Sequence, residues 1–176
     1  LGPTAILENS AGLIMEVSAG NSSVTSTNLS GDGTLIKIGD GTLTLSSYNN
    51  LTGETQISGG VLQAGRNSAF GTGGSSHYNV VRGASLDLNH TTQVVGQIRG
   101  DGDTSIGSGS LTLNQINDVT YGGNFIGVGD LIKNDSGVLT STARGASVGS
   151  PVVHGGGLDL EGRAVFSALR GTHAPR

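Results

Sequence analysis

The sequence predicts an all-β solenoid: one chain coiled into a single-stranded parallel β-helix of about seven to eight turns. Three observations lead there. Short apolar–polar–apolar runs recur along the chain. A long internal repeat keeps one register through runs and turns alike. No segment sustains the i, i+3, i+4 apolar spacing of an amphipathic helix.

The runs are Leu43-Thr44-Leu45, Leu86-Asp87-Leu88, Leu111-Thr112-Leu113 and Leu158-Asp159-Leu160. Each places apolar side chains at i and i+2, the period of a strand with one buried face. Gly, Asn, Asp or Ser bound them, as turn residues bound strands. Many short strands also fit a sandwich or a barrel. Against these stand the lack of paired strands about Asn-Gly or Asp-Gly hairpin turns and the scarcity of aromatic core residues, with three Phe, three Tyr and no Trp. A coil whose turns stack on one another needs only Leu, Ile, Val, Ala and Thr inside. With roughly 20–25 residues per turn and ~4.8 Å per turn, the rod is about 35 Å long.

The repeat is explicit. Residues 31–44 read GDGTLIKIGDGTLT and residues 127–140 read GVGDLIKNDSGVLT, identical at eight of fourteen positions without a gap. At the same offset of 96, Ile57, Gly59, Gly60 and Leu62 fall on Val153, Gly155, Gly156 and Leu158, and Phe70 falls on Phe166. The chain is therefore divided as one β-helix segment, 1–176, with copies 1–80 and 97–176 and the stretch 81–96 between them. Ser167–Arg176 aligns only weakly with 71–80.

Composition narrows the function classes. Gly supplies 32 residues, yet the net charge is only −4 and β-branched residues recur in blocks, so tight turns explain the Gly better than disorder does. Nine scattered Lys and Arg leave no nucleic-acid footprint. With no Cys there is neither a disulfide framework nor a Cys metal site. No apolar run reaches the ~18 residues of a membrane-spanning helix. The Leu1-Gly2-Pro3 start reads as that of a fragment or a mature segment.

Residues 29–65, LSGDGTLIKIGDGTLTLSSYNNLTGETQISGGVLQAG, resemble the passenger-associated transport repeat of autotransporter proteins. Gly31, Gly33, Leu35, Lys37, Gly39, Gly41, Thr42, Leu43, Thr44 and Leu45 fill the front of that pattern. Asn49, Asn50, Thr52 and Gly53 fill its middle, and Thr55, Ile57, Gly60 and Leu62 its end. The second copy keeps the front, Gly127 to Thr140, and departs from it over Ser141 to Ser150. The resemblance implies a right-handed β-helix passenger. It also implies a C-terminal outer-membrane β-barrel as partner, which these residues do not contain, and a place on the surface or outer membrane of a Gram-negative bacterium, or secretion from it.

Candidate functional residues are few. Gly31, Gly33, Gly39 and Gly41 read as positions of close turn-to-turn approach, since no helix follows to make a phosphate cradle. Lys37 and Lys133 match across the repeat and read as solvated side chains at strand edges or corners. Arg99, Gly100 and Asp101 spell the tripeptide read by integrins and form the one candidate binding site; the same residues also suit an ordinary turn. Asp32, Asp40, Asp101 and Asp103 match neither the calcium nonapeptide nor an EF-hand and read as turn carboxylates. His77, His90, His154 and His173 lack zinc-site spacing. Neither a nucleophile elbow nor a Cys supports covalent catalysis.

The expected function is that of a structural stalk, spacing or displaying an adhesin and aiding its folding during secretion, with no cofactor, no metal and no enzymatic activity. The alternative is direct adhesion to a host-cell surface, or self-association. A carbohydrate-active β-helix enzyme is the weakest reading, because aromatic platforms and paired carboxylates are missing.

Overall fold

The computed structural model describes residues 6–71, 74–143, 145, 147–149, 151–160 and 165–166. Leu1-Gly2-Pro3 and the whole of Ser167–Arg176, His173 included, lie outside the described residues. Every described regular element is a β-strand, and every pairing is parallel. The chain coils as a solenoid of about seven turns with three faces.

The first face is an eight-stranded sheet. It stacks β2 (Gly12–Glu16), β5 (Thr34–Ile38), β8 (Glu54–Ile57), β10 (His77–Val80), β13 (Gln97–Gly100), β16 (Val119–Tyr121), β19 (Val138–Ser141) and β22 (Gly157–Leu160). The second is also eight-stranded: β3 (Ser22–Thr25), β6 (Thr42–Leu45), β9 (Val61–Ala64), β11 (Ser85–Asp87), β14 (Asp103–Gly107), β17 (Phe125–Gly127), β20 (Ser147–Val148) and β23 (Val165–Phe166). The third face holds two separate sheets. One is β1 (Ile6–Glu8), β4 (Asn28–Gly31) and β7 (Asn50–Leu51); the other is β12 (Thr92–Val95), β15 (Ser110–Asn114), β18 (Asp130–Asn134) and β21 (Val152–Val153).

Alternation builds the core. In β6, Leu43 and Leu45 point inward and are buried while Thr42 and Thr44 lie half-covered outside. Stacking then aligns like positions: Leu43, Leu62, Leu86, Thr104 and Phe125 form one inward column along the second face. Each buried leucine contributes roughly 1.5–3 kcal/mol relative to exposure. A turn spans from 18 residues, as Ser85 to Asp103, to 24, as Val61 to Ser85. Corners between faces are tight. Gly31 has φ +112°, and a Cβ there would lie 2.2 Å from Asn9 O of the preceding turn, so only glycine fits.

The 96-residue repeat does not equal a whole number of turns. Four turns carry Lys37 through Ile57, Val80 and Gly100 to Tyr121, 84 residues on. The rest of the offset crosses the second face, so Lys133 lies on β18 of the third face, stacked between Leu113 and Val153. The two copies thus occupy different faces. A three-sided coil makes the same demand at each corner, so one strand–corner–strand sequence serves on more than one side.

The third face breaks where β9 leads to β10. Among the described residues the excursion there holds no strand. Side-chain amides replace the missing backbone ladder. Asn49 Oδ1 accepts from Leu29 N at 2.8 Å, and its Nδ2 donates to Ala69 O at 2.6 Å. Gln93 Oε1 accepts from Phe70 N at 3.0 Å, and its Nε2 donates to Arg66 O at 2.7 Å. Tyr78 Oη donates to Phe70 O at 2.7 Å, and the Phe70 and Tyr78 rings pack 5.5 Å apart. All these amide and phenol groups are buried, where an unpaired polar group would be costly.

Candidate functional site

Lys37 and Lys133 are fully buried, which corrects their reading as solvated side chains. Lys37 Nζ donates to Ile38 O at 3.0 Å, Gly39 O at 2.6 Å and Gly59 O at 3.0 Å, the last on the next turn. Lys133 Nζ donates to Gln115 O at 3.2 Å on the preceding turn, to Asp135 O at 3.1 Å and to Asn134 O. An ammonium has three donors, and each finds a backbone carbonyl at the corner; Ile38 O also accepts from Val17 N and Gln115 O from Gly137 N. Burial lowers both ammonium pKa values. Asp40 opposes this at Lys37, and Asp135 with Asp118 opposes it at Lys133. The two lysines are corner clamps. The signal was present in the sequence: Leu35 and Lys37, like Leu131 and Lys133, are two apart and therefore share the inward side.

Arg99, Gly100 and Asp101 straddle the end of β13 and the corner after it. Only Asp101 and Gly102 separate β13 from β14, so the tripeptide forms a tight inter-strand turn. The Arg99 guanidinium is paired with Glu54 on the outer surface of the same face. The Asp101 carboxylate lies 3.7 Å from the Arg82 guanidinium, both largely exposed. Gly100 has φ +102°, and a Cβ there would lie 2.1 Å from Val80 O. Gly122 N donates to Gly100 O at 2.8 Å. Stacking thus fixes the backbone of the tripeptide on both sides.

Asp103 is a turn carboxylate: its Oδ1 accepts from Asn124 N at 2.8 Å and from Asn124 Nδ2 at 2.9 Å, joining adjacent turns. His90 Nδ1 lies 3.0 Å from Ser108 Oγ, and His154 Nδ1 lies 3.0 Å from Asn134 Oδ1. Among the described residues no three His, Asp or Glu side chains converge as a metal site would require. Sequence reasoning placed Asn49 in the repeat pattern without a role and missed Gln93 and Tyr78; what all three do appears only when the break in the third face is seen. Exposed large apolar side chains gather on the first turn, at Ile6, Leu7, Ile14 and Val24; Val81, Ile116, Ile126 and Val128 are spread over later turns.

The Lys37 clamp and its acceptor Gly59 both lie within residues 35–64, which match the family model described as the passenger-associated-transport-repeat. The chain is also 32% identical over 160 residues to the protein named adhesin BmaC autotransporter from Brucella suis biovar 1 (strain 1330). This is autotransporter passenger sequence. The alignment covers 87% of the passenger segment and 5% of that relative, so the chain spans about one-twentieth of the protein it matches. No solved structure matches it. Such passengers belong to the cell surface or outer membrane, or are secreted, and the matched family is a transport-repeat family of passengers and not a family of enzymes.

Proposed function

We propose that this passenger segment is a stiff spacer that also helps its own export by folding turn upon turn. Continuity is the observation that supports this most directly. Two eight-stranded parallel ladders run the length of the rod, and each turn contacts chiefly the turn before and the turn after. In such a quasi-one-dimensional array, order nucleates once and then propagates by neighbour stacking. Lys37 and Lys133 add ties that close only when an adjacent turn is in place. The full-length protein, with the C-terminal barrel that passengers use, is the setting in which this operates.

The test is a pair of deletions in the full-length protein. Val119 and Leu139 are stacked partners, so removing residues 119–138 takes out one whole turn and keeps register. Removing only residues 119–128 breaks it. The spacer reading expects the whole-turn deletion to reach the surface at parental levels and to keep protease resistance and adhesion. The half-turn deletion should lose protease resistance. If the whole-turn deletion is displayed normally but loses adhesion, the segment itself binds, and the spacer reading falls.

A further inference from the structure

A cavity of about 350 Å³ opens on the outside of the corner between the first and second faces. Its origin is a mismatch in corner length. Two residues, Asp101 and Gly102, connect β13 to β14, while four connect β10 to β11 below and three connect β16 to β17 above. A short corner between two longer ones leaves a notch. Glycine enlarges it: Gly83, Gly102 and Gly122 all line the cavity and put no side chain into it.

The notch is lined by hydrogen-bonding groups with capacity to spare. The Arg82 guanidinium is 84% exposed and has one distant ion pair, to Asp101 at 3.7 Å. The Asp101 carboxylate is also largely exposed. Asp103, also on the lining, uses Oδ1 for both of its hydrogen bonds to Asn124. Ser85 contributes a hydroxyl. Carboxylates accept from paired hydroxyls and a guanidinium donates to them, so the set matches a polyol. Two carboxylates against one guanidinium disfavour an anionic ligand. The volume is at the small end for ligand sites.

We propose that this corner notch binds a neutral, hydroxyl-rich ligand the size of one sugar ring, with Arg82, Asp101 and Asp103 as its polar contacts. The site is independent of the spacer reading and adds a contact surface to it. Without an aromatic platform, the affinity for a single ring is of roughly millimolar order.

The probes are neutral methyl hexosides and N-acetylhexosamines, titrated to about 50 mM against the isotope-labelled 176-residue chain and followed by amide shifts. Uronic acids and calcium ions serve as competitors for the same groups. The expected result is saturable shifts confined to the amides of Gly83, Gly102, Gly122 and Asn124 with at least one neutral sugar. Asp101→Ala and Arg82→Ala, both at exposed side chains, should each weaken that binding about tenfold or more and leave remote amides in place. The proposal is overturned if no neutral sugar gives localised shifts, if only the acidic sugar or calcium does, or if binding persists unchanged in both variants.

Discussion

Replacing Lys37 by Met tests the corner clamp most directly. Met keeps the length and apolar stem and removes the ammonium, so the three carbonyls of Ile38, Gly39 and Gly59 lose their shared donor. Leaving a buried acceptor unpaired costs about 1–3 kcal/mol. Two effects reduce the sum. Taking a buried charge away recovers desolvation energy, and Ile38 O keeps Val17 N as a donor at 3.1 Å. The net loss expected is about 2 kcal/mol, focused where the clamp joins two turns. A global melt would blur it, because a solenoid unfolds as an array. Amide hydrogen exchange reads it locally. Ser58 N donates to Lys37 O and Val61 N to Gly41 O, both next to the clamp. In Lys37→Met these amides should exchange roughly 10–30-fold faster, since ~1.4 kcal/mol is a factor of ten. Amides of β15, three turns away, should not change. Unchanged protection at Ser58 and Val61 would refute the idea that the buried ammonium holds the corner.

Two further outcomes follow from the same geometry. Gly100→Ala should destabilise the rod by more than 2 kcal/mol on the usual scale of strain and overpacking, because its φ of +102° and the 2.1 Å approach to Val80 O leave no place for a methyl group. Urea unfolding reads this, and a midpoint within error of the parent would show that the corner can relax. Alkaline pH should also remove the stabilising contribution of two buried phenols. Burial raises the pKa of Tyr78 and of Tyr121 above the ordinary 10.0. Both phenols therefore stay protonated in the folded rod after the unfolded chain has ionised, so their contribution is complete below pH 10 and is lost as pH climbs beyond it. Tyr121 donates to Gly102 O at 2.5 Å and lies 2.8 Å from Thr104 Oγ1, so Tyr121→Phe should flatten the decline. Lys37 and Lys133, whose pKa values burial lowers, act with the opposite sign in the same range, so the comparison decides: identical stability profiles for the parent and Tyr121→Phe from about pH 9 to 11.5 would contradict this.

Local periodicity determined much on its own. The alternation in Thr42-Leu43-Thr44-Leu45 fixed which side chains enter the core, because successive residues of a strand face opposite ways whatever the strand packs against. The same parity placed Lys37 beside Leu35 on the inner side; reading the lysine by its charge alone hid this. The passenger-repeat pattern was legible over Leu35 to Ala64, since its spacing reflects the corners that every turn must make. Only the tertiary structure decided what depends on stacking between distant residues. It set the number of residues per turn, and so placed the two repeat copies on different faces. It broke the third sheet and gave Asn49 and Gln93 the task of bridging the gap, 20 and 23 residues from the groups they join. It also gave neighbouring corners unequal lengths, which opened the notch at Asp101. Corner length follows from how many residues reach the next strand in register, and register is a property of the assembled turns and not of any one of them.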